Sequence, residues 1–168
     1  MLQEKYRDKI EILIGMEFGL QPEFGGFAKE LANKINHPVM AVLIGNEECI
    51  TKHKDELLEY GVDKLYVYQN DKYKEFNIET YSKALENFVN QIKPVAILYG
   101  GTYLGRSIAP RVAAKFRTGL TADCTSLDIK ENTDLIQVRP AFGGNVMAQI
   151  ICPNTRPQMA TVRYKIFK

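Results

Sequence analysis

The chain has 168 residues, and its 22 basic and 20 acidic side chains leave a formal charge of +2. That length suits one domain, because domains usually contain about 100–150 residues, so we expect a single domain over residues 1–168. A composition of 45% hydrophobic and 25% charged residues excludes wholesale disorder, collagen and a simple coiled coil.

Strand-like and helix-like segments alternate through the first two-thirds of the chain. Short apolar runs predict buried strands, and apolar side chains spaced three and four residues apart predict helices. The predicted strands cover residues 10–14, 39–44, 62–68 and 95–99, and the predicted helices cover residues 24–35, 46–60, 78–92 and 104–116. Four strand–helix units in succession predict a doubly wound α/β fold, with a mostly parallel sheet and helices on both faces.

The pattern changes after Gly119. Four further strands are predicted at residues 124–130, 135–139, 146–152 and 159–164, and the turns between them are rich in Gly, Asn and Pro. Short turns of this composition join antiparallel strands. We therefore expect residues 1–119 to form the βα units of the parallel sheet, and residues 120–168 to form a C-terminal antiparallel strand extension of the same domain.

The three cysteines, Cys49, Cys124 and Cys152, are odd in number and far apart, and only His37 and His53 could join them. This pattern excludes a zinc site of the usual Cys/His type, so we expect no metal. Unpaired thiols fit a reducing compartment. The first nine residues lack the apolar core of a targeting peptide, and no apolar run approaches the about 20 residues that cross a bilayer. We therefore expect a cytoplasmic protein with no membrane partner.

The small net charge hides two opposed halves. Residues 1–90 carry 11 basic and 16 acidic side chains, whereas residues 91–168 carry 11 basic and 4 acidic ones. Arginine recognises anions and forms interface ion pairs through a planar fork of donors, although a solvated surface would have the same composition. Six of the seven arginines lie in the second half: Arg106, Arg111, Arg117, Arg139, Arg156 and Arg163. Because they are spread over several predicted elements without interleaved aromatic residues, we expect no nucleic-acid partner.

The segment Gly100–Ser107 is a candidate phosphate-binding loop between a predicted strand and a predicted helix. It has the spacing G-x-x-x-x-G-[K]-S, with arginine in place of lysine. In such a loop, backbone N–H groups and the helix dipole hold phosphate. Arginine is a poor substitute for that lysine, so glycines required by tight strand–helix packing explain the segment equally well. The weak candidates for a phosphate site are Gly100, Gly101, Gly105, Arg106 and Ser107.

No catalytic residues are predicted. Ser107 and Ser126 lack the G-x-S-x-G context of a nucleophile elbow. Asp123 and Asp128, if they lie on one strand, point to opposite faces and cannot act as a pair. His53 falls on a predicted helix face, where a structural role is the expectation.

Four motifs in the second half occur together in a fixed order. They are GTYLGRSIAPRVAAK at residues 101–115, GLTADCTSLDI at 119–129, RPAFGGN at 139–145 and CPNTRPQMATVR at 152–163. With these motifs the chain resembles the N-terminal domain of the electron transfer flavoprotein alpha subunit. The earlier βα units also fall in the order of that family.

The resemblance implies an adenine nucleotide alpha hydrolase-like fold without chemistry of its own. In this family the alpha subunit pairs with a beta subunit and carries electrons from acyl-CoA and other dehydrogenases through FAD, which lies mainly in a C-terminal domain. We expect that flavin domain to be missing here, so the resemblance implies a scaffold and subunit-interaction domain, not an enzyme, that binds no cofactor itself. The implied partners are the beta subunit, the flavin domain and, indirectly, acyl-CoA dehydrogenases of a bacterium.

On this interpretation, one surface of the chain meets the beta subunit or the flavin domain. The candidates for it are Arg139, Phe142, Asn145, Arg156 and Arg163. Two other functions compete with this one. A stand-alone mononucleotide-binding protein resembling universal stress proteins would hold phosphate at Gly100–Ser107. An acyl-CoA-linked enzyme would need a base or nucleophile that the sequence does not offer.

Overall fold

The structure is a computed structural model that describes residues 12–16 and 22–163. The predicted first and last strands extend beyond these residues, at positions 10, 11 and 164. The strands are β1 (Ile12–Met16), β2 (Val39–Gly45), β3 (Lys64–Gln69), β4 (Ala96–Gly100), β5 (Leu120–Cys124), β6 (Ser126–Ile129), β7 (Leu135–Ala141), β8 (Val146–Ile150) and β9 (Gln158–Val162). The α-helices are α1 (Pro22–Lys34), α2 (Glu47–Glu59), α3 (Ile78–Ile92) and α4 (Tyr103–Phe116).

Six strands form one sheet in the order β3-β2-β1-β4-β9-β5, and every neighbouring pair is parallel. All residues of β2 and β9 are buried, and so are the first four of β4. Their sequences are largely continuous apolar runs, which is typical of parallel strands covered on both faces. The predicted α/β fold with a mostly parallel sheet is therefore confirmed.

Helices pack on both faces of this sheet. On one face, Leu31 of α1 lies in the same buried cluster as Leu98 of β4. On the other face, Phe88 of α3 and Val112 of α4 cluster with Ile97 of β4. Successive residues of a strand point to opposite faces, so β4 contributes to both cores.

Side-chain caps begin three of the helices. Asn46 Oδ1 accepts a hydrogen bond from the Cys49 N–H at 3.0 Å at the start of α2. Asn77 and Thr102 do the same for α3 and α4. Each cap satisfies an N–H group that has no partner within its helix. The helices α2 and α3 therefore begin close to where the sequence predicts.

The strands β6, β7 and β8 form a separate three-stranded antiparallel sheet, which is the predicted extension. It is shorter than the predicted residues 120–168, because β5 and β9 belong to the parallel sheet. The prediction that the last strand continues the antiparallel hairpins is wrong: β9 lies between β4 and β5 and is parallel to both. The tight turn before β9 resembles a hairpin turn in composition, whereas the complete burial of β9 is that of a central parallel strand.

The side chain of Gln158 joins the two sheets at the start of β9. It is fully buried, and its Oε1 accepts a hydrogen bond from the Leu135 N–H at 2.8 Å. Its Nε2 donates to the Thr133 carbonyl oxygen, also at 2.8 Å. The Leu135 N–H and the Thr133 carbonyl oxygen, at the start of β7, thus both depend on the side-chain amide of Gln158 for a hydrogen bond.

We predict that Gln158→Leu lowers the free energy of unfolding by about 3 kcal/mol, because it leaves a buried N–H and a buried carbonyl without partners. Chemical denaturation followed by circular dichroism measures the loss. Gln149→Leu is the matched control, since Gln149 lies exposed on β8. Equal stabilities of the two variants would contradict the role of Gln158.

Candidate functional site

The candidate phosphate loop lies between β4 and α4, as the sequence predicts. β4 ends at Gly100, and Thr102 caps the helix, with its hydroxyl accepting a hydrogen bond from the Gly105 N–H at 3.1 Å. The N–H of Arg106 donates to the Thr102 carbonyl oxygen at 2.9 Å. Two of the N–H groups that a phosphate would need in the first turn therefore have partners within the chain.

Close backbone approach explains two of the glycines in this loop. The Gly101 N–H donates to the Val162 carbonyl oxygen at 2.7 Å, and a β-carbon on Gly101 would lie 2.7 Å from the same oxygen. A β-carbon on Gly105 would lie only 2.1 Å from the Gly100 carbonyl oxygen. Packing of α4 against β4 and β9 thus requires glycine at both positions.

The polar side chains of the loop also have partners within the chain. Ser107 Oγ donates to the Tyr103 carbonyl oxygen at 2.7 Å, and Arg106 Nη2 donates to Asp123 Oδ1 at 3.1 Å. The groups that would position a phosphate are thus engaged elsewhere. Phosphate binding by this loop stays a prediction, and these contacts do not support it.

Asp123 is the centre of a charged cluster that sequence reasoning missed. Its Oδ1 accepts hydrogen bonds from Arg106 Nη2 and, at 3.1 Å, from Arg163 Nε, while Arg163 Nη2 donates to Oδ2. The N–H of Asp123 donates to Thr161 Oγ1 at 2.8 Å, and its φ of +63° lies in the left-handed region, which Asp tolerates better than most residues. Asp123 therefore connects β5, the residue after β9, and the first turn of α4.

Positive charge dominates this cluster. The Arg163 guanidinium, through its hydrogen bonds to the carboxylate, holds the pKa of Asp123 below its ordinary value of 3.8. Arg106 and Arg139 lower the pKa of Asp123 further through space. Three guanidinium groups thus act on one carboxylate, so the cluster keeps a net positive charge.

Arg156, a predicted interface residue, is used inside the chain instead. Its Nη2 donates to Asp134 Oδ1 at 2.9 Å, and the two side chains are only 11% and 10% exposed. Its Nη1 donates to the carbonyl oxygens of Cys152, at 3.0 Å, and Thr155, at 2.9 Å. These bonds hold the turn before β9, so the geometry favours a structural role for Arg156 over contact with a partner.

The turn between β7 and β8 presents an apolar surface. Phe142 is 85% exposed, and the neighbouring Val146 and Met147 are also exposed. We call this group, with the exposed Asn145, the hairpin surface. No charged residue occurs between positions 140 and 151, and β8 is an edge strand of its sheet. Exposed apolar patches of this kind mark interaction sites on soluble proteins.

The described residues contain no cluster of His, Cys, Asp and Glu that could hold a metal ion. Burial raises the pKa of Cys124 to about 12, which keeps its thiol protonated and unreactive. Across the ranges 12–16 and 22–163, no helix is long and apolar enough to cross a membrane.

An apolar crevice lies beside the start of α4, near the carboxyl ends of β2 and β4. Its walls include Ile44, Tyr99 and Leu104, and the described residues that line it carry no charge. Open α/β sheets bind ligands at this end of their strands.

Comparisons with known proteins identify the family of this chain. The family described as electron transfer flavoprotein domain matches residues 26–168. The lactate dehydrogenase (NAD(+),ferredoxin) subunit LctC of Acetobacterium woodii is 61% identical over 145 residues, which are 86% of this chain and 34% of that protein. The electron transfer flavoprotein subunit alpha of Thermoanaerobacterium thermosaccharolyticum is 50% identical over 147 residues, which are 87% and 44% of the two chains.

This chain therefore spans less than half the length of these two relatives. Among solved structures, the universal stress protein of Archaeoglobus fulgidus, in complex with dAMP, is 15% identical and covers 60% of this chain and 90% of its own. Its TM-score is 0.43, which is too low to assign a function.

We predict opposite effects of alanine at two helical glycines. Gly105→Ala should destabilise the protein by about 3 kcal/mol, because the new methyl group meets a backbone oxygen that cannot move freely. Gly26→Ala should stabilise it by about 1 kcal/mol, because nothing lies near that position of α1 and alanine favours the helix. Thermal denaturation of both variants tests the packing explanation, and a stable Gly105→Ala protein would contradict it.

Asp123→Asn should lower the free energy of unfolding by about 2 kcal/mol at neutral pH, since both arginines lose a charged acceptor. Because the folded-state pKa of Asp123 lies below 3.8, its contribution is present above that pH and is lost as the pH falls through the folded-state value. The stabilities of wild type and variant should therefore converge in acid. Denaturation at several pH values measures this, with Asp55→Asn on the exposed face of α2 as control. A gap that persists in strong acid would argue against the ion pairs.

Proposed function

This chain belongs to the electron transfer flavoprotein domain family, and from that membership we propose that it is the N-terminal scaffold and subunit-interaction part of an alpha-type subunit. Its similarity to a relative named subunit alpha supports this assignment. The complete subunit would carry electrons from acyl-CoA or other dehydrogenases through FAD, in a complex with a beta subunit in the bacterial cytoplasm. The part described here would hold that complex together.

The hairpin surface is the observation that carries this proposal. Monomeric proteins rarely leave a large aromatic side chain such as Phe142 fully exposed beside other apolar groups. Edge strands are usually protected by charge or by proline, and β8, with the sequence VMAQI, contains neither. The cores of protein interfaces are likewise poor in charged residues and rich in aromatic ones.

The Gly100–Ser107 loop does not favour binding of the FAD pyrophosphate, because Arg106 is bound to Asp123 and the Ser107 hydroxyl to a backbone carbonyl. The proposal therefore places the flavin in another part of the subunit. On this proposal, the present chain contributes a surface of suitable shape and charge to the complex and no reacting group.

The proposed contact divides into an apolar centre and a basic margin. Phe142 and Asn145 lie at the tip of the β7–β8 hairpin, where a beta subunit or the flavin domain would cover them. Arg139 and Arg163 lie nearer the sheet and are partly buried. Their positive charge suits an acidic partner surface, because electrostatic complementarity steers association and fixes the orientation of partners.

We predict that Phe142→Asp weakens binding of the beta subunit by about 30-fold or more, because it places a charge in the apolar centre of the contact. Isothermal titration calorimetry of the purified subunits measures the affinity. Leu58→Asp is the matched control, since Leu58 is an exposed apolar residue of α2 away from the hairpin. The proposed surface is wrong if both variants bind the beta subunit as tightly as the wild type does.

A further inference from the structure

The inner face of the three-stranded sheet carries polar groups that its core position does not explain. Leu135, Gln137 and Arg139 are every second residue of β7, so their side chains lie on the same face of the sheet. This face packs toward β5 and α1. Leu135 lies in the apolar core, whereas Gln137, two residues later, is 0% exposed and carries an amide. Arg139, two residues further on, is partly exposed at the open end of this face.

Two of these polar groups have no partner within the described chain. Neither the Nε2 nor the Oε1 of Gln137 forms a hydrogen bond there, and the buried hydroxyl of Thr125 forms none either. Thr125 lies next to Arg139, since its N–H donates to the Val138 carbonyl oxygen at 2.9 Å. Buried polar side chains are nearly always hydrogen-bonded in folded proteins, so these groups point to a partner outside the described residues.

Among the described residues, Arg139 has no counter-ion of its own. Its one hydrogen bond within the described residues runs from Nε to the Pro140 carbonyl oxygen at 3.5 Å, which is long. Its charge acts on Asp123, but the two carboxylate oxygens of Asp123 already bind Arg106 and Arg163. A partly buried guanidinium in a cluster with surplus positive charge favours an added anion.

We propose that Arg139, Gln137 and Thr125 form a carboxylate-binding site that receives an acidic side chain of the beta subunit. This inference rests on the proposed function and names the chemistry of the partner at one point of the contact. The guanidinium fork of Arg139 donates to the carboxylate oxygens. Gln137 Nε2 and the Thr125 hydroxyl are buried in the isolated chain, so they become donors to the same carboxylate only when Arg139 turns toward the partner and uncovers them.

The site is continuous with the hairpin surface. Ala141 follows Arg139 on the same face of β7 and pairs directly with Val146 of the hairpin surface. A partner that covers Val146 therefore brings its neighbouring side chains within reach of Arg139. The excess of 11 basic over 4 acidic side chains in residues 91–168 supplies the complementary charge.

A cross-linking experiment on the natural complex that contains this chain tests the contact directly. Arg139→Lys places an amine at the site, and a carbodiimide joins an amine only to a carboxylate in contact with it. We expect mass spectrometry to find position 139 linked to an Asp or Glu of the beta subunit. Arg111→Lys on α4 is the control and should give no such link. A complex that forms other cross-links between the subunits, but none at position 139, overturns the proposal.

Affinity measurements give a second, independent outcome. Arg139→Gln should weaken binding of the beta subunit by about 30-fold and make the affinity less sensitive to salt, because a desolvated ion pair is lost. Gln137→Leu should weaken binding by a smaller factor of about 5. Arg111→Gln, which removes the same charge from an exposed position, should change the affinity less than twofold.

The two proposals fail in different ways. If Phe142→Asp disrupts the complex while Arg139→Gln and Gln137→Leu bind like Arg111→Gln, the carboxylate site is wrong and the hairpin contact stands. If the wild-type chain does not bind the beta subunit at all, the proposed function is wrong and the carboxylate site falls with it. Circular dichroism and melting temperatures of each variant identify any loss of affinity that reflects unfolding.

Discussion

The position of β9 between β4 and β5 is the constraint on which the rest of this structure depends. Two parallel neighbouring strands cannot be joined by a tight turn. After β5 the chain must therefore leave the parallel sheet and cross back to the end of the sheet where β5 begins before it can form β9. The residues between these strands form the three-stranded sheet on one face. Gln158 and the ion pair of Arg156 and Asp134 stabilise the chain where it re-enters the parallel sheet before β9. Backbone groups at this buried junction need hydrogen-bond partners.

The same insertion of β9 creates the charged cluster. The carboxyl ends of parallel strands meet at one edge of a sheet, and this brings Arg163 after β9, Asp123 in β5 and Arg106 after β4 together. Asp123 balances only part of the positive charge there. On our proposal, this edge and the adjoining hairpin surface hold a partner subunit by shape and charge.

The parts of the fold that the sequence predicts well depend on residues close together in the chain. The cap at Asn46 and the apolar stripe of α3 each involve residues three or four positions apart, and β2 is a continuous apolar run. The strand β9 is predicted as a strand but placed in the wrong sheet. Its composition indicates burial, and nothing local distinguishes a parallel neighbour from an antiparallel one.

The sequence by itself therefore determined the succession of elements apart from β5, the α/β class and, through four motifs, the family. Only the tertiary structure decided that Arg156 pairs with Asp134 and that Arg106 pairs with Asp123. It also decided that Gln137 is buried without a hydrogen-bond partner among the described residues. The physical reason is distance along the chain: the ion pairs join residues 17, 22 and 40 positions apart. No periodicity encodes such pairings, because they arise only when the strands have taken their order in the sheets.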